Sequence, residues 1–140
     1  SYLGGESAES PRNFAVDKRG IAYIIGQTNS SNFPIVSNQK VKLKGRSDAF
    51  ISMLNSKGSS LIYSNIFGGE RTEMFEGIVI GADGALTLSG LSDSKDFPVK
   101  NSIQDTFTIK SFAFQTRSFD TVAAPKPFIQ LALFQSQVES

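Results

Sequence analysis

Leu3-Gly4-Gly5 recurs as Phe67-Gly68-Gly69, 64 positions further along a chain of 140 residues. The same offset carries Phe14-Ala15-Val16 onto Ile78-Val79-Ile80, Gly20 onto Gly84, Gly26 onto Gly90 and Phe33-Pro34 onto Phe97-Pro98. Thr28-Asn29-Ser30-Ser31-Asn32 matches Ser92-Asp93-Ser94-Lys95-Asp96 in polar character. Glycine and proline fix backbone geometry, and apolar triplets mark buried strands. One unbroken offset through all of them therefore signals a duplicated structural unit. The chain reads as a single β-repeat domain over 1–140, with repeat one at about 6–69 and repeat two at about 70–140.

Each unit reads as short strands separated by turns. Asn13 to Asp17 predicts a strand, Lys18-Arg19-Gly20 a turn, and Ile21 to Thr28 a second strand rich in β-formers. Ala82-Asp83-Gly84 supplies the equivalent hairpin turn in copy two, since glycine accepts positive φ without steric penalty. Ala49 to Leu54 predicts a third strand, and Asn55-Ser56-Lys57-Gly58 turns into a fourth over Ser60 to Phe67. No stretch carries a helical period. The expected fold is all-β, with two four-stranded antiparallel units of the size of propeller blades.

The residues that recur also resemble a known family. Tyr2 to Gly5, Ala15 to Asp17, Asn32-Phe33-Pro34, Asp48 to Ile51, Leu54-Asn55 and Tyr63-Ser64 in copy one resemble the SBBP, or seven-bladed β-propeller-type, repeat. Asp96-Phe97-Pro98, Ala113-Phe114-Gln115-Thr116 and Phe128-Ile129 carry the resemblance into copy two. It implies bacterial or archaeal surface or secreted proteins built as long arrays, and it implies no catalytic residues.

Copy two departs from the pattern. Gly81 replaces the aspartate of copy one, Lys126-Pro127-Phe128 replaces Asp-Ala-Phe at the opening of the third strand, and extra residues at about 99–112 separate Pro98 from Ala113. On this reading Phe128 to Phe134 is the third strand of copy two and its fourth is missing, while Tyr2-Leu3 is a stray fourth-strand end. Three outcomes follow: a fragment of a longer propeller, protomers completing one another head to tail through Tyr2-Leu3, or a compact two-sheet β structure.

The bulk composition excludes several chemistries. Fourteen basic against thirteen acidic residues leave a net charge of +1, which favours neither nucleic acid nor an anionic membrane. No apolar run approaches the length of a membrane span, and no N-terminal segment reads as a signal peptide. Cysteine and histidine are both absent, so thiol nucleophiles, thiolate and imidazole metal ligands and the commonest general base are missing. No catalytic, cofactor-binding or metal-binding residue is expected.

Candidate interaction residues remain. Alternation over Lys40-Val41-Lys42-Leu43-Lys44 places Lys40, Lys42 and Lys44 on one face, either to meet a polyanion or to protect an edge strand. Phe107, Phe112, Phe114 and Phe119 concentrate aromatic surface in what reads as an insertion with an extra strand, where a partner site or additional core would sit. Tyr2 and Leu3 are candidates for strand-edge pairing. Asp17, Asp83, Asp93 and Asp96 lack the alternating spacing of a calcium loop and read as turn residues. Glu73 and Glu76 have no evident common cleft, and Gly4-Gly5 lacks the lysine-hydroxyl pair of a phosphate loop. Asn29-Ser30-Ser31 fits the glycosylation pattern.

The expected function is a non-catalytic structural or interaction module of a surface or secreted assembly, extracellular or at the cell surface by its resemblance. It would act through sheet faces, loops and strand-edge pairing with itself or another protein. The alternative is a glycan-binding, lectin-like or carbohydrate-active propeller domain.

Overall fold

The computed structural model describes residues 2–37, 41–82, 84, 86–97, 110–116 and 129–133, the last two segments as backbone strands. Eight strands run in chain order: β1 (Glu9–Val16), β2 (Ala22–Thr28), β3 (Asp48–Leu54), β4 (Leu61–Phe67), β5 (Glu73–Ile80), β6 (Leu86–Ser92), β7 (Lys110–Thr116) and β8 (Ile129–Leu133). They form two four-stranded antiparallel meanders, β1-β2-β3-β4 and β5-β6-β7-β8. Among the described residues there is no helix, and so no helix long and apolar enough to cross a membrane.

The duplication extends to register. Phe14 stands opposite Ile24 and Val16 opposite Ala22; 64 positions on, Ile78 stands opposite Leu88 and Ile80 opposite Leu86. Both first strands slip register at one place, between Pro11 and Asn13 and between Phe75 and Gly77. Such a bulge gives one strand an extra residue and re-aims its side chains. It lets β1 begin at Glu9, ahead of the expected Asn13, because Pro11 sits at the irregularity. The following turns are alike: Gly20 at φ +81° and Gly84 at φ +80° occupy the left-handed region that glycine alone enters freely. In the first, the Gly20 N–H donates to the Asp17 carbonyl at 2.9 Å; in the second, Gly84 donates to Gly81 at 3.0 Å. Asp83 lies outside the described residues.

Copy two corrects the strand assignment. Lys110 pairs with Ser92 as Asp48 pairs with Thr28, so β7 is the third strand of the second sheet. Ile129–Leu133 then pairs with β7 as the fourth. The expected extra strand and the extra residues at 99–112 are therefore the ordinary connection and third strand; the connections are 29–47 and 93–109. Extra length falls after the third strand, at 117–128 against 55–60. The Asp-Ala-Phe opening of copy one corresponds to Lys110-Ser111-Phe112, not to Lys126-Pro127-Phe128. Since the second sheet has its fourth strand, it offers no vacancy for Tyr2-Leu3.

The sheets stack. The face of sheet one that carries Tyr23, Ile25, Ile51, Met53 and Tyr63 joins Phe75, Leu86 and Leu88 of sheet two in one buried cluster. Ile78 and Ile80 pack against it from β5. At about 25 cal/mol per Å2 of apolar surface removed from water, side chains of this size contribute about 1.5–3 kcal/mol each. On the other face of sheet one a smaller cluster gathers Phe33, Phe50 and Ile66, with Leu3, Ile35, Val41 and Leu43 packed on it. The connection 29–47 thus folds back over half of its own sheet.

Candidate interaction surface

Polar side chains tie the start of each unit to the end of its second strand, twice and in the same way. The Glu9 carboxylate accepts hydrogen bonds from the Gly5 N–H at 3.2 Å, from Thr28 Oγ1 at 3.0 Å and from Ser30 Oγ. Glu73 accepts from the Gly69 N–H at 2.9 Å and from Ser92 Oγ at 2.8 Å. Ser30 Oγ accepts from the Ser7 N–H and Asn32 Oδ1 from the Glu6 N–H, both at 2.9 Å. Their counterparts Ser94 and Asp96 accept from Arg71 at 2.8 Å and Glu70 at 2.7 Å. Every one of these pairs is separated by the repeat offset. The doubled glycines leave room for the network, since a Cβ on Gly5 would collide with Ser30 and one on Gly69 with Ser94. They are structural, as their lack of a phosphate-loop context implies.

The acidic turn residues have similar work. Asp17 accepts from the backbone of Arg19 at 2.8 Å and of Ile21 at 3.1 Å, and pairs with the Arg19 guanidinium at 2.7 Å. Burial pushes its carboxyl up, but the Arg19 and Ile21 hydrogen bonds outweigh burial and hold it below the usual carboxylate range. Asp93 accepts from the Thr72 N–H at 2.7 Å. Glu73 is fully buried in its capping role, and its backbone neighbour Glu76 is exposed, so the two do not form a carboxylate pair over one cleft. Among the described residues no cluster of acidic side chains could hold a metal ion.

A second element joins the two sheets. Ser47 makes a parallel bridge with Thr72; the Arg46 N–H donates to the Arg71 carbonyl at 2.8 Å, and the Glu73 N–H donates to Ser47 at 3.0 Å. Only a glycine fits beside this bridge at position 45, because a Cβ there would run into the Arg71 carbonyl. Asp48, buried at the start of β3, accepts from Lys44 at 3.0 Å and Gly45 at 3.2 Å and so holds the loop in place. Burial raises the Asp48 carboxyl, with the Asp96 charge adding to the rise; burial likewise raises Glu73, with Asp48 adding to it. These three carboxylates sit at the junction between the units.

Among the described residues, the part of the other face of sheet one that the connection 29–47 leaves uncovered is open along β1. Phe14 is 68% exposed and Val16 55%. With Pro11, Arg12, Asn13, Ala22 and Ile24 they line a shallow groove of about 450 Å3. Residues 1–34 match the family model of the SBBP repeat, a beta-propeller repeat. The groove therefore lies within the matched SBBP segment, and the resemblance read from the sequence holds there. The search of curated proteins finds no match.

The sequence-derived candidates fall in different places. Tyr2 is 84% exposed, while Leu3 is half-buried against the Phe33, Phe50 and Ile66 cluster and is no free strand end. Lys42 and Lys44 are exposed and Val41 and Leu43 half-buried, as alternation implies, but the segment is a loop and not an edge strand. Its alternation comes from packing onto the connection's own cluster. Lys40, Phe107 and Phe119 lie outside the described residues, and Phe112 and Phe114 belong to β7. Glu9 went unnoticed in the sequence, and Glu73 was weighed there only as a partner for Glu76 and not as a cap on Gly69 and Ser92. The signal was present: Gly-Glu-x-x-Glu occurs at 5–9 and again at 69–73.

Proposed function

We propose that the chain is a non-catalytic structural and interaction module, two adjacent blades of a β-propeller-type array that serves in a surface or secreted assembly. One observation carries this reading: two sheets of matching register stack face to face, and the first leaves the Phe14 and Val16 edge of the corresponding face open. A contiguous exposed apolar face on a well-packed sheet is a contact surface for another protein. The commitment of acidic groups supports a non-catalytic role, because Glu9, Asp17, Asp48, Glu73 and Asp96 all accept hydrogen bonds that cap backbone or close turns. Resemblance to the SBBP repeat supports the extracellular or surface setting.

Glycan binding is less well supported. Phe14 is an exposed aromatic beside Asn13, as a sugar site requires, but both ends of the Asn13 amide are engaged. Its Oδ1 accepts from the Phe14 N–H at 2.9 Å, and its Nδ2 donates to the Glu76 carbonyl at 3.3 Å. The test is labelling of intact cells that produce the whole protein with an impermeant amine reagent, which the exposed Lys42 and Lys44 accept. Labelling before lysis is expected, with the protein migrating in native sizing far above its own mass. Labelling only after lysis, or a single free chain, overturns the reading. Retention of the chain on a glycan array would favour the sugar alternative.

A further inference from the structure

The connection after the second strand differs between the copies at two positions that frame a shared serine. Ser30 and Ser94 are equivalent: both are buried, and each hydroxyl accepts a backbone N–H, from Ser7 and from Arg71 respectively. On either side of that serine the copies diverge, with Asn29 and Ser31 standing where copy two has Asp93 and Lys95. Together the two differences write Asn-Ser-Ser in copy one alone. That is the acceptor triplet of N-linked glycosylation, an asparagine with a hydroxyl two places on and no proline between. No other asparagine of the chain is followed two places on by serine or threonine.

The backbone of the two copies is alike here, and the side chains are not. The Asn29 N–H donates to the Ala8 carbonyl at 2.9 Å, as the Asp93 N–H donates to Thr72 at 3.1 Å. Asp93 then uses its side chain as well: one oxygen accepts from the Thr72 N–H at 2.7 Å and the other pairs with the Arg71 guanidinium at 3.5 Å. Copy one has Ser7 and Ala8 at the places of Arg71 and Thr72, so the cation is gone. Among the described residues no hydrogen bond engages the Asn29 amide or the Ser31 hydroxyl, and both residues are exposed. Their neighbours Ser7 and Ala8 are small and exposed too. A turn asparagine ordinarily commits its side chain to the local backbone. Asn29 leaves its Nδ2 in water.

We infer that Asn29 is an N-glycosylation site, modified by a transferase that uses a lipid-pyrophosphate-linked oligosaccharide. In the transfer, Asn29 Nδ2 forms a bond to C1 of the first sugar as the bond from C1 to the pyrophosphate oxygen breaks. The lipid pyrophosphate leaves with that electron pair, and the amide nitrogen gives up one proton to a base of the transferase. The fold sets the order of events. Ser30 Oγ donates to the Glu9 carboxylate and accepts from Ser7, and the Phe33 N–H donates to the Ser30 carbonyl at 3.3 Å. The triplet cannot straighten into a transferase cleft without breaking these bonds, so transfer precedes folding. Afterwards the glycan stands clear of the sheet, because Nδ2 holds no internal bond for it to displace. The inference rests on the surface or secreted setting proposed above, since that is where lipid-linked oligosaccharides are used.

Trypsin isolates the triplet in one peptide, Gly20–Lys40, which has no internal lysine or arginine. Mass spectrometry of that peptide, from the whole protein recovered from the cells that make it, is expected to show sugar mass that fragmentation places on Asn29. Ser31→Ala and Asn29→Gln are expected to lose that mass, and Ser31→Thr to keep it. The unmodified chain should melt at the same temperature with Asn29→Gln as without it, because the amide caps nothing. A lowered melting temperature would make Asn29 a structural cap and count against the inference. Sugar placed on a serine or on another asparagine overturns it. A bare Gly20–Lys40 peptide from protein that intact cells expose to the amine reagent overturns this inference and leaves the surface setting standing. A bare peptide from protein labelled only after lysis overturns both, so the two failures are distinguishable.

Discussion

Replacing Gly45 with alanine tests the junction between the sheets most directly. The backbone at this position is not in the left-handed region, so the usual consequence of Gly→Ala is a gain of about 0.4–1 kcal/mol from a less flexible unfolded chain. Here the new Cβ would overlap the Arg71 carbonyl and lie 2.8 Å from both the Arg71 nitrogen and its carbonyl carbon. All are backbone atoms of the next unit, which cannot swing aside as a side-chain end can. Relief requires the strands to part by about an ångström, against an ordinary C···O contact of about 3.3 Å. Three hydrogen bonds then stretch past useful length: Arg46 N–H to Arg71 at 2.8 Å, Glu73 N–H to Ser47 at 3.0 Å, and Ser47 N–H to Arg71 at 3.4 Å. At about 1 kcal/mol each the loss is about 2–3 kcal/mol. After the entropic gain, Gly45→Ala destabilises by about 1.5–2.5 kcal/mol. Urea denaturation followed by circular dichroism measures it, and a lower slope or a split transition would show the sheets coming apart separately. Lys42→Ala, exposed three residues earlier, is the control and should stay within about 0.5 kcal/mol. A Gly45→Ala protein as stable as its parent would refute the junction as drawn.

Three other outcomes follow from the same structure. Asp48 and Glu73 have folded-state values raised above their unfolded ones, so the folded chain holds more protons between the two. Their effect is to weaken the fold as pH rises through the raised values, and this contribution to stability should grow as pH falls toward the ordinary carboxylate range. Thermal melts across that range check the sign, and Asp48→Asn with Glu73→Gln should flatten the profile. Ser52 and Ser64 share a buried hydroxyl hydrogen bond of 2.8 Å between β3 and β4. Ser64→Ala strands its partner and should lower stability by about 1–2 kcal/mol, whereas the double alanine variant recovers most of that; a purely additive cycle in equilibrium denaturation argues against coupling. Phe14→Glu should alter the stability of the chain by no more than about 0.5 kcal/mol and reduce binding of an apolar dye, because the ring is already in water. A loss of several kcal/mol would mean that Phe14 is core.

The boundary between legible and hidden follows from the range of the interactions involved. Gly20, Gly84 and the Asn55–Gly58 turn are set by local backbone chemistry, so their strands were readable from short stretches of sequence. The third strand of copy two was not, because β7 is defined by which residues hydrogen-bond to β6. A shortened connection before it and a lengthened one after it moved the apparent match to Phe128. Lys42 and Lys44 show the converse error: an alternating pattern marks one side packed and one side wet, and a loop laid on Phe50 and Ile66 satisfies it as well as a strand does.

By itself the sequence determined an all-β chain with two units 64 residues apart, because glycines in turns and apolar alternation act within a few residues and were copied with the unit. Only the tertiary structure decided which apolar face is covered, since burial depends on whether another sheet stands opposite. Phe14 and Ile78 have like character in the sequence, yet one faces solvent and the other faces sheet one. Tertiary contact likewise made Glu9 and Glu73 structural, by bringing hydroxyl donors from 19 or more positions away to carboxylates that would otherwise belong on the surface.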